Sequence, residues 1–214
     1  YAAFGHGTEV VGVLHLVAPT AHIMPLKAFH ADGTGDLSDI LSAIYYAVQN
    51  HVNVINMSFD LTSNSQELTQ AINYATSHGV ICVASSGNDG KQEVVYPAGL
   101  TNVMGVASTN DFDQRSSFSN YGNRVVWVAA PGENIVTTYP FGSYAATSGT
   151  SFSSPFVAGT ADLVLNMQPA ANQSETATAI GHARWIGWNM GHGRLDILRA
   201  LSSVNTNQSE YRDH

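Results

Sequence analysis

Thr147-Ser148-Gly149-Thr150-Ser151-Phe152-Ser153-Ser154-Pro155-Phe156-Val157-Ala158-Gly159 carries small hydroxyl residues straight into an apolar segment of helical spacing that continues to Met167. Gly149 permits a tight turn that a side chain would obstruct. Pro155 falls within a first helical turn, where its missing N–H costs little. With a helix starting near Thr150, Ser151 stands at its N-terminus, where free N–H groups and the dipole stabilise developing negative charge. That placement suits a nucleophile, although Ser or Thr ahead of a helix is more often a plain N-cap. The rest of the chain has to decide between the two.

Upstream of that stretch, apolar strands alternate with helices. Residues 5–14 read as a turn leading into a buried helix, 17–21 as a loop and 23–29 as a strand. Leu37, Ile40, Leu41, Ile44, Tyr45 and Val48 recur with helical period. A short strand over 52–57 precedes a helix from Ser65 to His78, with Gly79 as its stop. Residues 80–84, 103–107 and 125–130 are continuous apolar strands. Residues 135–139 and 143–147 suit a hairpin around Pro140-Phe141-Gly142. Downstream, helices are expected near 175–183 and 194–201. Continuous apolar strands between helices predict an α/β fold: a mostly parallel central sheet with helices on both faces, a three-layer sandwich. Chemistry in such sheets collects beyond the carboxyl ends of the strands.

The totals fit one enzyme-sized domain. The chain has 214 residues, 44% hydrophobic and 11% charged, which excludes a disordered polymer. A formal charge of −8 with eight Lys plus Arg argues against a nucleic-acid partner. No apolar run reaches membrane-spanning length, so no membrane partner is expected. The single cysteine, Cys82, allows no internal disulfide and sits in an apolar run as a buried spectator. Nine histidines are scattered, without a His-Glu-x-x-His spacing, and predict no metal site.

Gly5-His6-Gly7-Thr8 and Gly149-Thr150-Ser151-Phe152-Ser153-Ser154-Pro155 resemble the histidine and serine motifs of the subtilisin-like serine proteases, the subtilases or peptidase S8 family. Val17-Ala18-Pro19-Thr20-Ala21, Ala31-Asp32-Gly33-Thr34-Gly35, Val54-Ile55-Asn56-Met57-Ser58, Ser86-Gly87-Asn88-Asp89, Ala129-Ala130-Pro131-Gly132 and Gly191-His192-Gly193-Arg194-Leu195-Asp196 match further landmarks in the family's order. The resemblance implies a serine endopeptidase working through an acyl-enzyme intermediate. Ser151 would be its nucleophile and His6 its base. Asn88 and the Ser151 N–H would be the oxyanion donors, with support from Thr150. It assigns substrate binding to Gly33, Thr34, Gly35, Ser58, Phe59, Asp60, Ala84, Ser85, Ser86, Gly87 and Val95, with an extended polypeptide added as a strand. It also implies a secreted protein, an inhibitory pro-segment in the parent and no required cofactor.

The departures carry their own expectations. The family's triad aspartate lies on a strand before the histidine motif, and none of the five residues before His6 is acidic. Residues 1–201 are therefore expected to form a partial peptidase domain, low in activity alone, with exposed strand edges. Residues 202–214 are expected to be a frayed polar tail. The short step from the histidine helix to Val17-Ala18-Pro19 leaves no room for an inserted calcium loop. A weak calcium or sodium site at the Ala98, Leu100 and Val103 carbonyls stays compatible with the sequence. Val95 stands where glycine often floors the P1 pocket, which favours small or medium apolar P1 residues, whereas Asp60 and Asp89 favour Lys or Arg.

Two rivals remain on sequence grounds. Gly149-Thr150-Ser151-Phe152-Ser153 falls one residue short of the α/β-hydrolase Gly-x-Ser-x-Gly, with His182 or His192 following. The other is a degenerate protease domain that binds peptides or assembles without catalysis. Gly5-His6-Gly7-Thr8-Glu9-Val10 also brushes a dinucleotide fingerprint, but no strand precedes it.

Overall fold

A computed structural model describes residues 4–210. In chain order the elements are α1 (His6–Val17), α2 (Leu37–Gln49), β1 (Val54–Met57), α3 (Gln66–Ser77), β2 (Ile81–Ser85), β3 (Met104–Thr109), β4 (Val128–Pro131), β5 (Ile135–Tyr139), β6 (Ser143–Thr147), α4 (Thr150–Met167), α5 (Gln173–Ile180) and α6 (Ile197–Glu210). The first four strands form one parallel sheet in the order β1-β2-β3-β4, with Met57 opposite Ala84, Ser85 opposite Val106 and Val106 opposite Val128.

Strand β2 shows why the sheet needs two covers. All five of its residues are buried, so neither face meets water. Its alternate side chains part company: Cys82 and Ala84 pack with Ile40, Ile44, Leu68 and Ile72 of α2 and α3. Ile81 and Val83 pack with Val157, Ala161, Leu165 and Ile180 of α4 and α5. The outcome is helix, sheet, helix, as the sequence predicts. Each such buried aliphatic side chain contributes roughly 1.5–3 kcal/mol relative to exposure.

Local chemistry sets the helix ends. Ser65 Oγ accepts from the Leu68 N–H at 3.0 Å and caps α3. Asn172 and Glu175 form a reciprocal capping box that starts α5 at residue 173, earlier than the apolar spacing suggests. The hairpin around 140–142 forms as predicted, with β5 and β6 antiparallel.

Four expectations shift. Residues 23–29 are not a strand: no ladder partner lies beside them among the described residues, and Met24 and Leu26 are exposed. The strand expected over 125–130 begins only at Val128, because the Val125 and Val126 N–H groups turn back onto the Gly122 carbonyl at 3.1 and 3.0 Å. Residues 194 and 195 are extended, not helical; the Leu195 N–H donates to the Ala129 carbonyl at 2.7 Å, covering the outer edge of β4. Finally, α6 continues past residue 201 to Glu210, where a frayed tail was expected. Val204, one turn beyond Ala200, packs with Val164 and Ala179 and anchors that extension. Residues 211–214 of that tail lie outside the described residues.

Candidate active site

His6 is the first residue of α1, entered through Gly5 at φ 86° and ψ −14°. Strand β5 grips this end of the helix: Thr137 Oγ1 donates to the Glu9 carbonyl at 2.7 Å and Thr138 Oγ1 to the Thr8 carbonyl at 2.8 Å. The neighbouring helix α4 holds the other side. Its Gly159 leaves no room between the helices, since a Cβ there would lie 2.8 Å from Val17 Cβ. At the opposite end of the contact the His6 ring centroid is 5.6 Å from that of Phe152. The two helices thus run side by side in the same sense, bringing both N-termini to one place. Burial pulls the His6 pKa below its ordinary value of 6.5. Glu9 is itself buried, which raises its pKa, and no carboxylate pairs with His6 among the described residues.

Ser151 lies in the first turn of α4, where backbone N–H groups have no helical acceptor. Its Oγ donates to the Ser58 carbonyl at 3.3 Å, and no direct bond joins it to His6 in this state. Beside it, Asn88 Oδ1 accepts from the Thr150 N–H at 2.9 Å and from Thr150 Oγ1 at 3.0 Å. Both donors fix the carboxamide, so its Nδ2 donors face away from Thr150. Thr150 is fully buried and serves as the anchor.

The segments expected to bind substrate meet here. Residues 58–60 leave β1 and residues 86–89 leave its neighbour β2, forming two walls at the carboxyl end of the sheet. Ser85 Oγ bridges them by donating to the Phe59 carbonyl at 3.3 Å. The paired backbones of Leu61 and Tyr96, bonded at 2.7 and 2.9 Å, close the far end. Val95, next to Tyr96, is 1% exposed and packs into the core beneath the sheet's α2–α3 face. Ala84 and Ser86 are fully buried, so their side chains do not reach the cleft surface. The loop with Gly33, Thr34 and Gly35 is shaped by Asp32, whose Oδ1 accepts from the Thr34 N–H at 3.0 Å and Oγ1 at 2.7 Å. These bonds lower the Asp32 pKa. Phe29, against Gly35, packs at a tilt on Phe59 with centroids 5.0 Å apart and joins this loop to the cleft wall.

Three supporting residues were not among the sequence candidates. Asn56 Nδ2 donates to Ser58 Oγ at 2.9 Å, Ser154 Oγ donates to Asn56 Oδ1 at 2.9 Å, and Ser58 Oγ donates to the Ser151 carbonyl at 2.7 Å. This network ties β1 to the first turn of α4. The signal available was an amide inside an apolar strand, a costly choice unless it is bonded. The third residue, Asn120, accepts at Oδ1 from the Asp89 and Lys91 N–H groups, each at 3.1 Å, and so shapes the loop after Asn88.

The other candidates fall elsewhere. His182 Nδ1 bonds the Thr178 carbonyl at 3.0 Å, and the His192 ring packs at a tilt against Trp127, centroids 4.5 Å apart. Neither ring serves Ser151, which removes the α/β-hydrolase arrangement. Cys82 is fully buried, and burial pushes its thiol pKa up to about 12. Among the described residues no group of three or more His, Cys, Asp or Glu is gathered to hold a metal. No described helix is long and apolar enough to cross a membrane.

Comparison with known proteins agrees with this geometry. A family model described as the subtilase family matches residues 2–208. Subtilisin BL of Lederbergia lenta is 39% identical over 199 residues, covering 86% of this chain and 74% of that protein. The M-protease of Shouchella clausii is 38% identical over 199 residues, and the chain spans only 52% of its length. Among solved structures, a lanthipeptide protease superposes with a TM-score of 0.87 at 27% identity, covering 94% of this chain and 76% of that one. The parallel sheet, its two helical layers and the motif order are those of a subtilisin-like fold, and the chain belongs to the subtilase family.

Proposed function

We propose that the chain forms the greater part of a serine endopeptidase that cleaves peptide bonds through an acyl-enzyme. The observation that carries this reading is the clamp of Thr150 on Asn88 at the same helix N-terminus that presents Ser151. Ser151 Oγ attacks the scissile carbonyl. His6 takes its proton and returns it to the leaving amine. The oxyanion receives hydrogen bonds from Asn88 Nδ2 and the Ser151 N–H, one such donor contributing about 3 kcal/mol to transition-state stability. The backbones of residues 33–35 and 58–60 pair with an extended substrate. The chemistry requires no cofactor, and an ion at the Ala98, Leu100 and Val103 carbonyls would serve structure only.

With no carboxylate partner for His6 among the described residues, this reading expects a limited rate. In a subtilisin, loss of the triad aspartate alone costs roughly 3 × 10⁴ in kcat. The reading therefore assigns low hydrolytic activity to the chain as it stands and full activity to a form that supplies that aspartate. An inhibitory pro-segment and an extracellular setting belong to the same reading, by kinship.

That His6 has no carboxylate partner among the described residues also favours a second reading, a peptide-binding module without catalysis. A fluorophosphonate probe followed by peptide mapping separates them. Labelling at Ser151 that disappears in His6→Ala supports the enzyme; no labelling of Ser151 supports the module.

A further inference from the structure

The cleft beside Ser151 holds charge that the mechanism does not use. Gly87, at φ 94°, has no room for a side chain: a Cβ there would collide with Asn120 Nδ2 and stand 2.8 Å from Asp60 Oδ2. Asp60 thus reaches across from one wall to lie over the other. Its carboxylate remains exposed at the cleft rim. Burial of part of the group raises its pKa, and so does repulsion from Asp89 and Glu93. The ionised groups that it feels are all negative.

Asn120 supplies an independent sign that this wall is polar by construction. The residue is fully buried, and its Oδ1 is committed to the Asp89 and Lys91 N–H groups, so the amide orientation is fixed. Its Nδ2 is buried without a hydrogen-bond partner and lies beside Gly87, on the side where Asp60 stands. An apolar side chain laid over the Asp60 carboxylate would strip its water at a cost. The three carboxylates are not gathered closely enough to hold a metal ion. What they suit is a cation on a long apolar stem. Such a stem lies along the wall and delivers its head to the exposed carboxylate at the rim.

We propose that Asp60 is the specificity-determining residue of this cleft and selects peptides with Lys or Arg on the acyl side of the scissile bond. This rests on the protease reading for the direction in which the peptide lies. Residues 58–60 and 86–88 flank Ser151, so the side chain preceding the attacked carbonyl enters between them.

The test uses the 214-residue chain carrying Ser151→Ala, which reads the cleft without chemistry. Tetrapeptides ending in Arg, Lys, Leu, Phe or Glu are titrated by calorimetry. The Arg and Lys peptides should bind about tenfold tighter than Leu or Phe, the low end of what a hydrogen bond to a charged group contributes. Adding Asp60→Asn should erase that preference, and Asp60→Glu should keep it. Adding Asp60→Lys should turn it toward Glu, a gain that misfolding cannot imitate. Equal or tighter binding of Leu and Phe, or no reversal in Asp60→Lys, overturns the proposal. Fluorophosphonate labelling of unsubstituted Ser151 is read separately, so loss of the nucleophile and loss of the pocket preference are told apart.

Discussion

Thr150 donates twice to one oxygen of Asn88, from its N–H at 2.9 Å and its Oγ1 at 3.0 Å, and so fixes which way the amide nitrogen points. A donor aimed in advance at a developing oxyanion needs no reorganisation during the reaction, which is what gives it catalytic value. Asn88→Ala should lower kcat by about 10²–10³ with KM little changed. Thr150→Val keeps the backbone bond and loses the hydroxyl bond. It should cost about 1 kcal/mol, a several-fold loss, also in kcat. Steady-state kinetics on an amide substrate checks both.

Gly159 sets the separation of the helices that carry His6 and Ser151. Gly159→Ala places a methyl 2.8 Å from Val17 Cβ, so α1 must move off α4. Overpacking of this kind costs about 1–3 kcal/mol. Thermal unfolding should show the loss, and kcat should fall further than the stability change alone explains.

The network from Asn56 through Ser58 and Ser154 to the Ser151 carbonyl is buried enough that removing one member strands the others. Asn56→Ala should destabilise the chain by about 1–3 kcal/mol. Denaturant unfolding measures this, and labelling of Ser151 by a fluorophosphonate should slow in parallel as the first turn of α4 loosens.

Burial holds His6 below its ordinary value of 6.5. A base must be neutral to accept a proton, so the acidic limb of kcat/KM for this chain should lie below pH 6.5. The linked stability has the same sign. With the folded pKa depressed, the unfolded chain binds the proton more readily; the His6 contribution is complete above the unfolded value and is lost as pH falls through the folded one. Phe152→Ala, which uncovers the ring, should return the pKa toward 6.5, as an NMR titration of the imidazole would show.

Most of the layering was legible because it rests on period and burial alone. The continuous apolar run at 80–84 could only be a strand covered twice, and α2 and α3 declare their faces through Ile40, Ile44, Leu68 and Ile72. What the sequence could not convey depends on neighbours remote in the chain. Residues 23–29 have strand composition, but a strand exists only with a ladder partner. Leu195 has helical company in sequence yet is extended, because the Ala129 carbonyl accepts its N–H at 2.7 Å. In the site, His6, Asn88 and Ser151 were readable as motifs. The roles of Asn56 and Asn120 were not, since each acts through bonds to residues about 30 to 100 positions away. Asp60 was readable as a charge, but its position over Gly87 needed the fold.

The convergence of Ser151, His6 and Asn88 on one reacting carbon is tested most directly by a crystal structure of the chain treated with a peptidyl boronic acid. The account predicts a bond from Ser151 Oγ to boron, with one boronate oxygen about 3 Å from Asn88 Nδ2 and the Ser151 N–H, and the other facing the His6 ring. A boronate absent from Ser151, or bound there with the Asn88 amide nitrogen directed away from it, would contradict it.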